Sequence, residues 1–583
     1  MPRSPTMLNA PRPTSLELPM PGAFDRSDAL DRLATTTFDV IVVGGGITGV
    51  GCALDAASRG LRTALVERDD FASGTSSKSS KMIHGGLRYL QNGDVRLVYQ
   101  ALRERQRLMR NAPHLVKILP FLLPVFTGKD GMVPAKLARA MGTAMWTYDL
   151  TGGARIGKLH KRLSVDETMA HVPTFKRERL APSYLYFDAR ADDARLTLAL
   201  ARTAAIDHGA VIANRAGVVG IRKDANGRAT GVTVEADGRT IEVAGTAVVN
   251  ACGVWADDVR TLDEGTDPDS IRPAKGIHIT IPWSLVRNDI AAVVPVPRDK
   301  RSIFVVPWGD FTYAGTTDTD YDGPIDDPQC TSEDIDYVLK TLNHSLTTTI
   351  TRDDIVGTWA GLRPLVKQAA SERTADLSRN HRVAESSSGV VTVTGGKLTT
   401  YREMAEDTID HVIDHILEVD ILGRIAKRSH TRKLRLRGAT GYADLVDRPG
   451  AISSSLDAAT VEHLANRYGG EARTVVAMAE RNPHLAEPLV PGLPYLKAEA
   501  VYAARYEMAR SVDDILSRRT RARLLARDDS ARVAAEVAEL VADDLGWDAG
   551  EQERQAEQYR SSIAHERTAA DLPETALDAL IGA

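Results

Sequence analysis

The chain is short of cysteine, shows no surplus of one charge sign and contains no long apolar run. Each shortage removes a class of function. Its 583 residues hold three cysteines, Cys52, Cys252 and Cys330, with no C-x-x-C pair and no histidine cluster beside them. That scatter argues against a disulfide framework or a metal site and suits a reducing cytosol. Lysine plus arginine (73) nearly balances aspartate plus glutamate (78), for a formal charge of −5. No global field draws such a chain to nucleic acid, and attraction to an anionic membrane would need a local basic patch. No apolar run reaches the ~18 residues of a membrane-spanning helix. The nearest, Ile118 to Phe126, is broken by Pro120 and Pro124. Residues 1–36 are rich in proline and small polar residues and lack the apolar core of a secretory signal, which predicts a disordered tail.

What is present begins at Phe38. The stretch to Asp70 reads as strand, glycine turn, helix, strand and acid: Val40–Val43, then Gly44, Gly46 and Gly49 at G-x-G-x-x-G spacing, a small-residue helix Ile47–Ser58, a strand Thr63–Val66, and Glu67. Gly44 permits the tight turn, Gly46 lets the backbone approach a pyrophosphate, and Gly49 lets helix and strand pack closely. The helix N-terminus presents free N–H groups and a positive dipole end to that anion. Glu67 is placed to accept hydrogen bonds from a ribose diol. This complete frame predicts a dinucleotide site.

The chain is too long for a single core. Thr246–Asn250 leads into a turn containing Gly253, and Val390–Thr394 leads into Gly395-Gly396-Lys397 and a helix from about Thr399 to Ile416. Both read as further parallel strands ending in glycine turns, so the expected α/β Rossmann-like domain is discontinuous. Gly276–Pro282 and Ser302–Thr317 alternate apolar and polar residues, as a half-exposed antiparallel sheet does, and predict a cap domain over the cofactor. Three units result: a tail over 1–36, an oxidoreductase domain with interleaved cap over 37–425, and a helical C-terminal domain over 426–583. Helices are expected at Glu462–Tyr468, Glu471–Glu480, Ala498–Leu516 and Ala531–Leu545.

Thr75 to Leu90 reads TSSKSSKMIHGGLRYL, crowding Thr75, Ser76, Ser77, Ser79 and Ser80 before His84. A hydroxyl-rich, glycine-containing loop after the ribose-binding acid suits a cofactor with a polar ribityl chain; the same hydroxyls also suit the capping of a surface helix. In order along the chain, GGGITGVGCALDA, this loop, KGIHITIP, GTTDTDY, GLRPL and VTGGKLTTYREMAE resemble the FAD-dependent glycerol-3-phosphate dehydrogenases of the bacterial aerobic type, within the amino-acid-oxidase-like flavoproteins. The resemblance spans about Phe38 to Met404 with strong motifs and continues more loosely through MARSVDDILSRRTRARLL (Met508–Leu525); the proline-rich tail does not match.

The resemblance implies FAD as cofactor and oxidation of sn-glycerol 3-phosphate to dihydroxyacetone phosphate. It further implies electron transfer to a membrane quinone, a cytoplasmic protein peripheral on the inner face of the membrane, and a homodimer. It places Gly44, Gly46, Gly49 and Glu67 at the ADP half of FAD, Thr75, Ser76 and Ser77 along its ribityl and pyrophosphate, and Gly253, Gly396, Lys397, Leu398 and Thr399 elsewhere on it. Arg88, Tyr89, His278, Arg363 and Lys397 fall on substrate positions, with His278, Arg363 and Lys397 as the catalytic set. The chemistry agrees. A phosphorylated triol carries close to two negative charges, which a guanidinium fork and a lysine point charge both suit. Loss of the hydroxyl proton needs a base, and His278 is preferred; His84, Arg363 and Lys397 are alternatives. A helix N-terminus after Gly396 would stabilise negative charge on a reduced flavin by roughly 0.3 to 2 kcal/mol. An oxidase passing electrons to oxygen with release of peroxide is the alternative activity. The Arg-rich stretches Leu102–Arg110 and Arg518–Arg527 read either as solvated faces or as contacts to anionic lipid, and Lys136–Trp146 as a short interfacial helix.

Overall fold

The computed structural model describes residues 24–86, 94–126, 135–299, 301–367, 381–417, 423, 425–453 and 455–577, with backbone alone for 135–141, 153–154 and 451. Two sheets carry the site. In the first, parallel strands run in the order Val391–Thr394, Arg239–Asn250, Thr37–Val43, Thr63–Val66 and Val211–Ala213. Gly217–Lys223 and Ala229–Ala236 extend Arg239–Asn250 as an antiparallel meander. Alternation along Thr37–Val43 sends Val40 and Val42 into one core and Ile41 and Val43 into another, as a strand buried on both faces requires. The helix Ile47–Ser58 covers one face, packed between the sheet and the helix Tyr401–His415.

The second sheet is the cap. Its strands Ile271–Pro282, Phe311–Gly315, Ser302–Trp308, Ala291–Pro295, Val116–Phe126 and Leu180–Ala191 are ordered side by side. Gly357–Val366 pairs with Ile271–Pro282 in an antiparallel register that sets His278 opposite Trp359 and Ala274 opposite Arg363. The apolar run Ile118–Phe126 lies within one of these strands.

The start of the described chain corrects the expected tail. Residues 24–36 are folded: Asp25 caps a helix Arg26–Thr35 by accepting from the Asp28 N–H at 2.8 Å. Leu30 and Leu33 are buried against the first sheet, and Arg26 pairs with Asp237 and donates to Asn214 O at 2.7 Å. The physical reason is that Ala29, Leu30 and Leu33 form one apolar face, which the proline-rich composition upstream obscured. Residues 1–23 lie outside the described residues.

Beyond residue 425 the chain is helical, with two cores of its own. The helix Ala549–Asp571 was not anticipated; its hydrophobic side chains are sparse, and burial of Tyr559 and Ile563 is what holds it to the domain. The segment expected as one helix over Ala498–Leu516 is two: an α-helix Lys497–Tyr506 and a π-helical turn Asp514–Thr520.

Candidate active site

One elongated cavity of about 430 Å³ runs between the two sheets. Its floor is the glycine turn. Gly44, with φ +108°, lies so close to the next strand that a Cβ there would come within 2.8 Å of Ala251 O. Gly49 does not reach the cavity: an added Cβ would stand 1.9 Å from Gly44 O, so its role is the close approach of helix to strand. Gly46 and Ser76 do line it, and Ser76 Oγ accepts from the Ile47 N–H at 2.8 Å, at the start of the helix.

Glu67 sits on the cavity wall at the end of its strand. Its carboxylate accepts from the Gly45 N–H at 2.5 Å and the Asp69 N–H at 2.7 Å. A carboxylate has about four lone-pair sites, so two remain for a diol. The group is half-buried on the cavity wall, and desolvation pushes its pKa up to about 7 against those backbone hydrogen bonds. Beyond it, Val218, Val259, Leu262 and Trp255 form an apolar end. These features fit FAD: an apolar slot for a flat base, a carboxylate for the ribose, a helix N-terminus for the pyrophosphate, and a long remainder for ribityl and ring. Ribose hydroxyls donating to Glu67, as the sequence leads one to expect, would favour its ionised form, and FAD binding would then expel a proton. The expected result is binding to apoprotein about tenfold weaker at pH 6 than at pH 8, read from FAD fluorescence quenching; in Glu67→Gln that pH dependence disappears.

The hydroxyl loop divides. Thr75, Ser76, Ser79 and Ser80 line the cavity, whereas Ser77 does not. Ser77 is buried, its Oγ directed at Gly74 O and its carbonyl accepting from Lys81 Nζ at 2.9 Å. The side chain of Ser77, expected along the cofactor, thus points into the protein and not into the cavity. Thr75 Oγ1 donates to Leu362 O at 2.5 Å, tying the loop to the cap strand that carries Arg363.

At the opposite end, Gly396, Lys397, Leu398 and Thr399 line the cavity together with His84, His278, Phe304, Thr316 and Arg363. Gly253 lies on the wall farther along. Thr399 Oγ1 accepts from the His84 N–H at 3.2 Å, joining the two glycine-containing turns. Arg363 Nη1 donates to Asp318 Oδ1 at 3.0 Å, and its Nη2 donates to Thr316 Oγ1 and Thr317 O, both at 3.2 Å. The Asp318 carboxylate thus already engages one edge of this guanidinium. Arg88 and Tyr89 lie outside the described residues.

His278 is buried, stacked on Trp359 at 4.6 Å and 9° between ring planes, with Nε2 2.8 Å from Ser80 Oγ. Burial, followed by the positive charges of Lys81 and Arg363, holds its pKa well below the usual value, so the ring is neutral. Lys275, three residues back, faces the other side of the sheet and pairs with Asp334 at 2.7 Å and with Glu574. Trp359 and Trp255 carried no motif by which sequence reading could have found them. Ser79 and Ser80 stood in the quoted loop without an assigned role.

Residues 39–402 match the family model "FAD dependent oxidoreductase", and residues 429–552 match "C-terminal domain of alpha-glycerophosphate oxidase". The chain is 42% identical over 550 residues to glycerol-3-phosphate dehydrogenase 2 of Mycobacterium tuberculosis, covering 94% of this chain and 91% of that one. The chain belongs to the FAD-dependent glycerol-3-phosphate dehydrogenases. Within that family it is also similar to the human mitochondrial glycerol-3-phosphate dehydrogenase, 37% identical over 91% of this chain and 74% of the human one. The structure of the glycerol-3-phosphate dehydrogenase from Bacillus halodurans complexed with FAD superposes with a TM-score of 0.74 at 30% identity, covering 93% of this chain and 98% of that one. An L-alpha-glycerophosphate oxidase from Mycoplasma pneumoniae shares the fold alone, at TM-score 0.51 and 18% identity over 64% of this chain and 94% of that one. FAD is thus the cofactor of the family whose cavity features this chain carries.

The two Arg-rich stretches differ in where their side chains go. Arg519 and Arg521 are buried, and Arg518 is nearly so. Arg518 and Arg519 grip Asp70, and Arg521 grips Asp192 and Asp193. Arg518, Arg519 and Arg521 are therefore neither a solvated face nor a lipid contact but an internal clamp from the C-terminal domain onto Asp70, in the loop after Glu67, and onto Asp192 and Asp193. In Leu102–Arg110, Arg105 is buried against Asp188 at 2.6 Å, whereas Arg103 and Arg110 are exposed.

Proposed function

We propose that the protein oxidises sn-glycerol 3-phosphate to dihydroxyacetone phosphate. FAD, when bound, supplies the acceptor for the hydride from C2 and gives up its electrons to a membrane quinone. The observation that carries this reading is the convergence of Lys397, Arg363 and His278, from three distant segments, on the cavity that begins at the Gly44–Gly46 turn. Lys397 and Arg363 bind the phosphate, and their charges orient the triol so that C2 faces the flavin end. His278 receives the hydroxyl proton. His278 itself is buried, so the charge it gains on accepting the proton forms in a medium of lower dielectric than water.

The test is anaerobic addition of glycerol 3-phosphate to the yellow holoprotein. Bleaching is expected with glycerol 3-phosphate and not with glycerol, with reoxidation by ubiquinone or menaquinone analogues. Reoxidation by oxygen at a comparable rate, with stoichiometric peroxide, would instead make the protein an oxidase.

A quinone substrate calls for contact with lipid on the cytoplasmic face. Among the described residues, Tyr99 (41% exposed), Trp146 (56%), Leu150 (83%) and Leu159 (51%) project from neighbouring segments. Arg103, Lys158, Lys161 and Arg162 are exposed beside them in sequence. Aromatic and basic side chains of this kind suit an interface of anionic head groups. No described helix is long and apolar enough to cross a membrane. Flotation with anionic liposomes at low salt is expected, and Trp146→Glu with Leu150→Glu should abolish it while leaving soluble dye-linked turnover unchanged.

A further inference from the structure

We propose that Ser80 relays the substrate's hydroxyl proton to His278. The inference rests on the assignment of His278 as base and adds the path by which the proton reaches it. The His278 ring is confined on several sides. Trp359 stacks on it at 4.6 Å, Tyr313 meets it at 6.1 Å, and Gly315 lies against it so closely that a Cβ there would stand 2.5 Å from its Cδ2. Its Nδ1 is buried with no hydrogen-bond partner among the described residues. Nε2 is the nitrogen with a polar outlet, and Ser80 Oγ occupies that outlet at 2.8 Å. Ser80 itself lines the cavity.

The serine is fixed from behind. Tyr313 Oη donates to Ser80 O at 2.9 Å, and Trp359 Nε1 donates to Ser79 O at 3.2 Å. Asp193 Oδ2 accepts from the Ser79 N–H at 3.1 Å and from its hydroxyl at 2.7 Å, and also takes Lys81 Nζ at 3.2 Å. Thus the two aromatic rings that hold the imidazole also hold the Ser79–Ser80 backbone, so hydroxyl and ring keep one relative geometry.

As the C2 hydride departs to FAD, the C2–O bond gains double-bond character and its hydroxyl proton becomes strongly acidic. That proton passes to Ser80 Oγ while the proton already on Ser80 passes to His278 Nε2. One O–H bond forms and one breaks at Ser80, which ends as a hydroxyl. The imidazolium holds the proton and later yields it to solvent. Two protons move in one step.

Three measurements on FAD-loaded protein test this. Ser80→Ala is expected to lose about 100-fold in kcat, at the lower end of what a positioned proton acceptor contributes, with KM within about threefold and Ser80→Thr recovering most of the loss. Because both residues serve one transfer, Ser80→Ala combined with His278→Asn should be no more than about threefold slower than His278→Asn alone. Stopped-flow flavin reduction of the unaltered enzyme in mixtures of H2O and D2O should depend on deuterium fraction along a curve, as two moving protons require. A straight line or no solvent isotope effect overturns the relay, a readout that needs no variant to fold. Ser80→Ala within threefold of the parent while His278→Asn is crippled overturns the relay and leaves the base standing. Both variants within threefold of the parent overturn the base assignment and the relay with it.

Discussion

Replacing His278 with asparagine is expected to lower kcat by about 10²- to 10⁴-fold while KM stays within about threefold. The proton acceptor contributes in the transition state and not to holding the phosphate. His278 is held neutral by burial and by Lys81 and Arg363 nearby. A histidine pKa shifted downward means the basic form persists as pH falls, so kcat/KM of the parent should show no acid limb from this residue between pH 8 and 6. Steady-state profiles of parent and variant check both points. An acid limb near pH 6.5 that vanishes in the variant would contradict the buried, neutral ring. A weak base suffices because the transfer that ends on His278 removes a proton from an oxygen that is becoming a carbonyl, and a phosphate bound at Lys397 and Arg363 would offset their charges.

The second large effect is on stability. Asp70 is fully buried and accepts from Arg519 Nη1 at 2.7 Å and Nη2 at 2.8 Å, Arg518 Nε at 2.7 Å and Asn214 Nδ2 at 3.0 Å. Asp70→Asn leaves two guanidinium groups buried without their shared counter-charge, and removing one partner of a buried pair costs roughly 3 to 5 kcal/mol. Urea unfolding should show that loss in midpoint. The variant should also retain less FAD after gel filtration, because Asp70 lies three residues past Glu67 and anchors the loop that leads to Thr75 and Ser76. Arg518 and Arg519 hold the carboxyl well below its usual range. A depressed carboxylate stabilises the fold fully above its unfolded pKa of ~3.9 and ceases to as pH falls below it. The difference between parent and variant is therefore constant at neutral pH and closes only in strong acid. An unchanged urea midpoint for Asp70→Asn would mean the C-terminal clamp does not bear on the oxidoreductase domain.

The parts legible beforehand are those whose constraints are local. Gly44, Gly46, Gly49 and Glu67 announce a turn, an approach and an acid within about thirty residues, and the strand–turn–helix that carries Lys397 is equally self-contained. The resemblance brought Arg363 and His278 to attention through short motifs. Sequence reading erred where a residue's face depends on the rest of the molecule. Ser77 sits among cavity-lining hydroxyls, but its own hydroxyl turns inward to Gly74 O while its carbonyl accepts from Lys81 and Arg521. Arg518–Arg527 has the composition of a solvated helix, yet its charges meet aspartates more than 300 residues away in sequence.

By itself, then, the sequence pointed to a dinucleotide site at a glycine turn and to a phosphate-suited set of cations, and it holds no apolar run of the ~18 residues that a membrane-spanning helix needs. Only the tertiary structure decided that Ser80 and His278, 198 positions apart, share a hydrogen bond, that Trp359 is the wall behind the imidazole, and that the C-terminal helices clamp the cofactor loop. The reason is that sheet register and domain docking choose which side chains meet, and a side chain's local pattern records its own conformation but not the identity of the residue that packing brings against it.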